Sequence, residues 1–219
     1  FLLPVIIFFD RSRFSKILIL VFSIISIGAN IYFGKNMINK YHKAQFIDLN
    51  TNIKVVAPKV ELNRFFQKED PNIIINELIE LSGPEKIKKT LFIFPEGILA
   101  NIYLEDLNIY KENFKNNFSE NHKIIFGINS QFGPKIYNSL VVLDNNLNIL
   151  ANYKKNNLVP FGEFLPFENI FSKFGLKKIT QGYKSFSSDD NRKIIEINNI
   201  KFLPLICYEI IYSGKLNKS

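Results

Sequence analysis

The sequence predicts an α/β domain of layered helices and sheets that follows a membrane-spanning helix. The run from Ile17 to Gly34 carries no charge over 18 residues and is long enough to cross a bilayer. Beyond it, short apolar stretches typical of strands alternate with a few stretches of helical spacing, which is the order of a layered α/β or α+β domain. Hydrophobic residues make up 47% of the 219 residues, so there is enough apolar material for a core.

The apolar run has flanks that suit a membrane boundary. Tyr32 and Phe33 lie near its end, where aromatic side chains favour the membrane–water interface. Arg11, Arg13 and Lys16 precede it and predict a cytoplasmic N-terminal side, because short loops rich in Lys and Arg stay inside. The rest of the chain would then lie across the membrane. The alternative is a buried core helix, although such stretches usually span only about 10–14 residues.

The chain divides into three predicted parts. Residues 1–34 are a membrane segment, in which 1–9 end one helix, a basic loop follows, and 17–34 form a transmembrane helix. Residues 35–50, of mixed composition, are a linker. Residues 51–219 form the folded domain, which we expect to be incomplete at its C-terminus. We also expect a fragment of a longer protein, because the chain opens inside an apolar run without Met.

Local patterns predict the elements of the domain. Helical spacing and a Ser-Gly-Pro stop predict a helix at Asn72–Leu81, and a second apolar helical face follows at Phe167–Phe174. Apolar stretches bounded by turn residues predict the strands Ile53–Val56, Leu91–Phe94, Lys123–Ile128, the hairpin Leu140–Leu143 with Leu147–Asn152, and the hairpin Ile194–Ile197 with Phe202–Ile206.

Composition excludes some classes of function. The net charge is +8, but no Arg-rich helix or interleaving of aromatic and basic residues accompanies it, so nucleic acid is not an expected partner. Scattered Lys residues favour a solvated basic surface. With one Cys and two His, the chain lacks the ligands for a Cys/His zinc site and the pair needed for an intrachain disulfide.

The single cysteine, Cys207, follows the apolar stretch Leu203-Pro204-Leu205-Ile206 and precedes Tyr208-Glu209. A cysteine where an apolar strand ends can face a pocket and be activated as a thiolate by a neighbouring group. Taken alone, the same pattern also fits a small buried core residue, since free Cys is among the most buried residue types.

Two further residues have a context that suits chemistry. Glu96 lies in Phe94-Pro95-Glu96-Gly97, just beyond an apolar strand, where a partly desolvated carboxylate could act as a general base. Lys155 precedes the turn-rich stretch Leu158–Glu163, and a buried ammonium there could stabilise an oxyanion. Each alone could equally be a solvated loop residue.

Together these residues resemble the nitrilase (carbon–nitrogen hydrolase) superfamily. Its triad is Glu-Lys-Cys in this chain order, each residue at a strand end of an αββα four-layer sandwich. Phe-Pro-Glu around Glu96 and Cys-Tyr-Glu around Cys207 match its local motifs. The resemblance implies that the α/β domain is a nitrilase-like αββα sandwich, C-terminally truncated and preceded by the transmembrane helix.

Within that superfamily, the stretch Tyr153–Glu163 followed by Phe164-Leu165-Pro166 resembles the apolipoprotein N-acyltransferase family. This alignment selects Lys155 rather than Lys154 as the triad lysine. The membrane helix supports the same choice, since soluble amidases have no need of one. One departure is Phe65-Phe66, which stands where the family often has a Trp, so a substrate contact of an indole is not kept.

The resemblance implies a two-step acyl transfer at the outer face of the bacterial inner membrane, on the periplasmic side. Glu96 would be the general base, Cys207 the nucleophile and Lys155, with the backbone N–H of Tyr208, the oxyanion donor. Glu163, Tyr208 and Glu209 resemble supporting positions. The donor would be a phospholipid and the acceptor a diacylglyceryl apolipoprotein, with no metal or diffusible cofactor.

Two other functions stay open at the level of sequence, and so does the role of one segment. A nitrilase-type amidohydrolase acting on a small amide would use the same triad. An inactive membrane-tethered fragment would follow if the chain ended naturally at Ser219. The Phe-rich stretch 167–174 could be a lid, a membrane-dipping arm or an ordinary core face.

Overall fold

The computed structural model describes residues 12–43, 49–59, 70–99, 102–167 and 185–215. It divides into two units, residues 1–48 and residues 49–219. In the described part of the first unit there is one long helix, and the described part of the second holds the sheets and the remaining helices. Phe65-Phe66 and all of the predicted helix 167–174 beyond Phe167 lie outside the described residues.

Helix α1 runs from Arg13 to Lys43 and has 31 residues, so it is about 46 Å long at 1.5 Å per residue. This exceeds the roughly 30 Å of a bilayer's hydrocarbon core. Within α1 only Ser23 is buried, unlike the pattern of a core helix in a soluble domain. By length and composition α1 could therefore span a membrane.

Helix α1 is longer than the predicted helix 17–34 and includes residues 35–43, which were predicted as linker. The physical reason is that residues 35–43 contain no Pro, and polar residues such as Lys continue a helix readily. Lys40, His42 and Lys43 occupy the last turn, where positive charge interacts favourably with the helix dipole.

The second unit is built on a five-stranded sheet with the strand order β1-β2-β3-β4-β5. Strands β1, β2 and β3 are parallel, whereas β3, β4 and β5 are antiparallel neighbours. The strands are β1 Asn52–Val55, β2 Thr90–Ile93, β3 His122–Phe132, β4 Lys135–Leu143 and β5 Ile149–Lys154.

Helices provide the crossovers that parallel strands require. Helix α2, Pro71–Ser82, lies between β1 and β2. Asp70 caps its N-terminus, where the Asp70 side chain accepts a hydrogen bond from the backbone N–H of Asn72. Gly83, with φ 45°, caps its C-terminus. A 3-10 helix, Leu104–Tyr110, and helix α3, Lys111–Asn117, lie between β2 and β3.

The two faces of the sheet bury different cores, because successive strand side chains point to opposite faces. Phe92 packs with the helix residues Ile75, Leu78 and Phe114 on one face. Its neighbour Leu91 packs on the other face with a cluster that includes Ile195 and Ile200. These last two belong to the antiparallel hairpin β6 Ile195–Ile197 and β7 Ile200–Phe202.

The β6–β7 hairpin turns through Asn198 and Asn199, both at positive φ (51° and 65°), as a tight two-residue turn requires. The predicted second strand Phe202–Ile206 is wrong in its extent, since β7 ends at Phe202. Pro204 has no backbone N–H to give to a ladder, and the chain from Leu203 to Ile206 is irregular.

The fold class predicted from the sequence is confirmed as a mixed α/β arrangement with a long apolar helix at its N-terminal side. Helices α2 and α3, the five-stranded sheet and the β6–β7 sheet supply an α, a β and a second β layer. These are three of the four layers of an αββα sandwich.

Candidate active site

Glu96 lies in the turn that follows β2, where the chain stays in contact with β3 after the strand ends. The backbone N–H of Phe94 donates to the carbonyl of Ile125 at 2.8 Å, and that of Gly97 donates to the carbonyl of Gly127 at 3.3 Å. A Cβ on Gly127 would come within 2.6 Å of the Cα of Glu96, a distance that real side chains do not tolerate. Gly127 therefore lets the backbone of Glu96 pack directly on β3.

The carboxylate of Glu96 belongs to a hydrogen-bonded cluster with Asn138, Glu163 and Lys155. Nδ2 of Asn138, on β4, donates to Oε1 of Glu96 at 2.7 Å and to Oε1 of Glu163 at 3.0 Å. Nζ of Lys155 donates to the same Glu163 oxygen at 2.9 Å. The structure thus brings Glu96, Lys155 and Glu163 together, with Asn138 as the link.

Lys155 is the first residue after β5, and its backbone N–H still donates to the carbonyl of Asn138 at 2.8 Å. Its side chain is 1% exposed, so the ammonium is held within the protein. Glu163 balances this charge and also accepts a hydrogen bond from the backbone N–H of Val159 at 2.9 Å. The turn-rich stretch Leu158–Glu163 therefore folds back so that the carboxylate of Glu163 contacts the ammonium of Lys155.

Cys207 begins a 3-10 helix, Cys207–Lys215. Four residues separate it from Phe202, the end of β7, whereas the predicted strand ended directly before it at Ile206. Its φ is 52°, a left-handed conformation that is strained for a residue other than Gly and that clusters at functional turns. The thiol is free and the residue is exposed, which excludes the alternative of a small core residue. Tyr208 is exposed as well.

No hydrogen bond within the described part of the chain joins the thiol of Cys207 to Glu96 or Lys155. The two groups of predicted site residues are connected instead through Glu209, whose side chain is fully buried. One Glu209 oxygen, Oε1, accepts from the backbone N–H groups of Asn156 and Asn157 at 3.1 and 2.9 Å. The other, Oε2, accepts from the backbone N–H of Ile206 at 2.9 Å.

Glu209 therefore holds the turn after Lys155 and the turn before Cys207 with one carboxylate. Two further side chains complete this arrangement. The hydroxyl of Tyr153 donates to Glu209 at 2.8 Å, and Nη2 of Arg192 lies 2.5 Å from Glu209 Oε1. We call Tyr153, Arg192 and Glu209 the carboxylate clamp.

Charges within the carboxylate clamp stabilise one another. Burial raises the pKa of Glu209, but hydrogen bonds from Asn157, Ile206 and Tyr153 and the charge of Arg192 outweigh it and leave that pKa below its usual 4.5. Burial, together with the hydrogen bond to Glu209, raises the pKa of Tyr153 to about 12. Burial alone would lower the pKa of Arg192, yet its contacts with Tyr153 and Glu209 raise it.

Asn138 and Arg192 are site residues that the sequence did not reveal. Asn138 stands in an apolar strand within Tyr137-Asn138-Ser139, where only its burial could have pointed to a polar role. Arg192 lies in the polar stretch 187–193, which reads as a solvated loop. In this chain single polar residues are frequent, so neither position carries a local signal.

A cleft of about 530 Å³ opens beside the turn after Lys155. Its lining mixes polar and aromatic side chains: Lys135, Asn156, Asn157, Leu158, Phe164, Phe186, Ser187 and Ser188. Among the residues that the structure describes, no group of three or more His, Cys, Asp or Glu side chains could hold a metal ion.

Residues 117–217 match the family model described as carbon-nitrogen hydrolase. This segment includes Asn138, Lys155, Glu163, Cys207 and Glu209, whereas Glu96 precedes it.

Curated relatives carry the name apolipoprotein N-acyltransferase. The protein of Rhizobium rhizogenes is 39% identical over 84 residues, which are 38% of this chain and 16% of the relative. That of Rhodopseudomonas palustris is 41% identical over 83 residues, or 37% of this chain and 16% of the relative. That of Rhizobium leguminosarum bv. trifolii is 27% identical over 176 residues, or 75% of this chain and 33% of the relative. The chain thus spans between about a sixth and a third of the length of these relatives.

A mutant amidase from Nesterenkonia sp. AN1 superposes with a TM-score of 0.46 at 13% identity, covering 78% of this chain and 61% of the amidase. At this level the superposition is too loose for a comparison of individual residues.

Proposed function

We propose that this chain, whose residues 117–217 match the carbon-nitrogen hydrolase family model, carries the catalytic centre of an apolipoprotein N-acyltransferase. Members of that family are enzymes, and the names of the curated relatives support the finer activity. The observation that carries the proposal is the cluster of Glu96, Asn138, Glu163 and Lys155, tied through Glu209 to the strained turn of Cys207.

In the first half of the proposed reaction, Glu96 accepts the proton of the Cys207 thiol. The thiolate sulfur attacks the carbonyl carbon of a phospholipid ester, and a carbon–sulfur bond forms while negative charge develops on the carbonyl oxygen. The buried ammonium of Lys155, with the backbone N–H of Tyr208, stabilises this oxyanion. The carbon–oxygen bond then breaks, the alkoxide of the lysophospholipid takes the proton from Glu96, and an acyl thioester remains on Cys207.

In the second half, the α-amino group of the N-terminal cysteine of a diacylglyceryl apolipoprotein attacks the thioester carbonyl. Glu96 accepts a proton from the attacking nitrogen, the carbon–sulfur bond breaks, and the proton returns to the thiolate. The acyl chain ends in an amide bond. The exposure of Cys207 supports access for two bulky lipid substrates in turn.

Neutral hydrogen bonding to Glu96 supports its role as the base. Among the residues that the structure describes, the carboxylate of Glu96 is hydrogen-bonded to the neutral amide of Asn138, while Glu163 takes the ion pair with Lys155. A carboxylate without a cation at contact distance can accept a proton without first giving up an ion pair. Lys155 meanwhile keeps its charge balanced by Glu163 and stays available for the oxyanion.

The cleft beside the turn after Lys155 supports the binding of a lipid head group. Lys135, Ser187 and Ser188 offer one cation and two hydroxyls to a phosphate, and Leu158 and Phe164 offer apolar surface to the first part of an acyl chain. We propose that α1 spans the inner membrane and that residues 51–219 act on its periplasmic side.

The proposal is tested by incubating the full-length protein, in membranes, with a phospholipid labelled in its acyl chain. The expected result is a labelled thioester on the peptide that contains Cys207, absent in Cys207→Ala, with transfer to the amine when a diacylglyceryl lipopeptide is added. Glu96→Gln should slow formation of the thioester by roughly 10²-fold or more. An enzyme that forms no such thioester but releases ammonia from small amides would instead be an amidohydrolase.

A further inference from the structure

The carboxylate clamp joins the two halves of the proposed site and takes no direct part in the chemistry described above. Glu209 binds the backbone of Asn156, next to Lys155, and of Ile206, next to Cys207. The distance between the turn of the lysine and the turn of the cysteine therefore depends on one buried carboxylate. A displacement of that carboxylate would move both turns.

Arg192 contributes the only side-chain cation in contact with Glu209 among the described residues. Its side chain is 9% exposed, and its Nε and Nη2 donate to the hydroxyl oxygen of Tyr153 at 3.1 and 3.0 Å. Its guanidinium also stands 5.7 Å from the centroid of the Tyr153 ring. The guanidinium thus fixes both the carboxylate and the phenol that donates to it.

Without this cation, a fully buried carboxylate would rely on neutral donors alone. A buried charge that loses its partner is strongly unfavourable, so the carboxylate would move towards water or take up a proton. In either case it would release one or more of the backbone N–H groups of Asn156, Asn157 and Ile206. The two turns would then be free to separate.

We propose that Arg192 is a positioning residue of the acyl-transfer centre. Through Tyr153 and Glu209 it sets the placement of Lys155 relative to Cys207, and it touches neither substrate nor reacting atoms. This inference rests on the proposed function for its reaction, but the geometry on which it depends is that of the carboxylate clamp alone. An ammonium cannot replace the guanidinium fully, because a planar fork is needed to reach the phenol and the carboxylate together.

The test compares Arg192→Met and Arg192→Lys with a matched control, Lys201→Met, in the full-length protein. Lys201 is a cation of the neighbouring hairpin whose ion pair with Glu196, at 3.4 Å, is exposed. For Arg192→Met we expect kcat for thioester formation to fall by about tenfold or more with KM for phospholipid nearly unchanged, because the reacting groups are misplaced. Arg192→Lys should restore part of kcat, and Lys201→Met should match the unmodified protein.

A second readout requires no acyl donor. Mass spectrometry of the peptide that contains Cys207 measures the rate at which iodoacetamide alkylates that thiol in the full-length protein. In Arg192→Met this rate, measured at one fixed pH, should change, because the backbone of Ile206, next to Cys207, is no longer held by Glu209. If Arg192→Met does not accumulate as folded protein, Tyr153→Phe removes the link more mildly and should change the alkylation rate in the same direction.

The two readouts separate this inference from the proposed function. If the unmodified protein forms no thioester on Cys207, the acyltransferase proposal fails, while the alkylation rates still test the role of Arg192. If kcat per folded protein and the alkylation rate of Cys207 are both unchanged in Arg192→Met, the positioning role is overturned. A loss of thermal stability alone, with kcat per folded protein retained, would also overturn it.

Discussion

At the scale of single residues, the candidate site depends on a neutral amide placed between two carboxylates. Asn138 donates through one nitrogen to both Glu96 and Glu163. Two carboxylates that approach the same point repel each other, and the amide donor compensates for that repulsion without adding charge. Asn138 therefore allows Glu163 to pair with Lys155 while Glu96 stays in the cluster.

Asn138→Asp provides the sharpest test of this arrangement, since it keeps the shape of the side chain and turns the donor into an acceptor. Three carboxylates would then face one ammonium, and we expect thioester formation to slow by roughly 10²-fold, equivalent to about 2–3 kcal/mol for a lost hydrogen bond to charged groups. The measurement is single-turnover labelling of Cys207.

Asn113→Asp is the matched control for that substitution. Asn113 is half-buried, and its side-chain amide donates to the exposed side chain of Asn76 at 3.2 Å. It should leave the labelling rate unchanged. A full rate in Asn138→Asp would show that the link between Glu96 and Glu163 is not needed for catalysis.

Sequence reasoning located residues whose neighbours carry a pattern and missed residues defined only by contacts. Glu96 and Lys155 stand beside recognisable turns, and the structure places them in one cluster. Asn138 and Arg192 have ordinary neighbours in the sequence. The side chains that Asn138 contacts lie 25 and 42 positions away, and those that Arg192 contacts lie 17 and 39 positions away. Such distances in sequence leave no local signal.

At the scale of elements, three turns that follow β2, β5 and β7 supply the residues of the site. The turn after β2 is held by backbone contact with β3, whereas the other two are held by the carboxylate clamp. The backbone of the turn after β2 is thus held by packing on β3. The turns after β5 and β7 are held by ionisable groups, so the stability of that contact must change with pH.

The change with pH can be predicted from the pKa of Tyr153, which burial raises from 10.0 to about 12. A group with a raised pKa contributes stability that is fully present below its unfolded pKa and is lost as pH rises through its folded pKa. The free energy of unfolding should therefore fall between pH 10 and pH 12 more steeply than in Tyr153→Phe, which has no hydroxyl to titrate.

Denaturant unfolding of the two proteins across that range measures the difference. The difference in free energy between them should shrink steadily from pH 10 upwards. Parallel curves would mean that the phenol is not held in its neutral form by the clamp. At the acid end the sign is opposite: the lowered pKa of Glu209 gives stability above its usual 4.5 that is lost as pH falls through the depressed value.

Strand patterns predicted the sheet better than they predicted the limits of its strands. The hairpin predicted from Leu140–Leu143 and Leu147–Asn152 is β4 with β5. Gly133 and Pro134 form the tight turn between β3 and β4, and both strands extend beyond the predicted ranges Lys123–Ile128 and Leu140–Leu143. Polar residues such as Asn129 and Asn138 interrupt the apolar pattern there, but pairing with a neighbouring strand overrides local preference.

At the scale of the whole molecule, the proposal requires α1 to cross the membrane with the catalytic unit on the periplasmic side. Basic residues occur at both ends of α1, with Arg13 and Lys16 at one end and Lys40 and Lys43 at the other. The rule that basic loops stay in the cytoplasm therefore discriminates weakly for this helix. A direct measurement of orientation is needed.

A membrane-impermeant maleimide applied to spheroplasts supplies that measurement, because Cys207 is exposed and its labelling can be read by mass spectrometry on the peptide that contains it. After hydroxylamine has removed any acyl group, we expect Cys207 to be labelled without permeabilisation. The matched control is Ser12→Cys in a Cys207→Ala background, at the start of α1, which should be labelled only after permeabilisation. The reverse pattern would place the catalytic unit in the cytoplasm.

The carboxylate clamp also has a consequence for the order in which the protein folds. The hydroxyl of Tyr153 and the N–H of Asn157 meet Glu209 across 56 and 52 positions of sequence, whereas β3 and β4 are neighbours joined by a tight turn. Closing a long loop costs more entropy than closing a hairpin, so the sheet is expected to form before the clamp. During synthesis, Lys155 leaves the ribosome before Glu209 does, so the turn of Lys155 emerges without the carboxylate that holds it. If the catalytic unit is periplasmic, as proposed, the chain would therefore cross the membrane before the turns of Lys155 and Cys207 are joined.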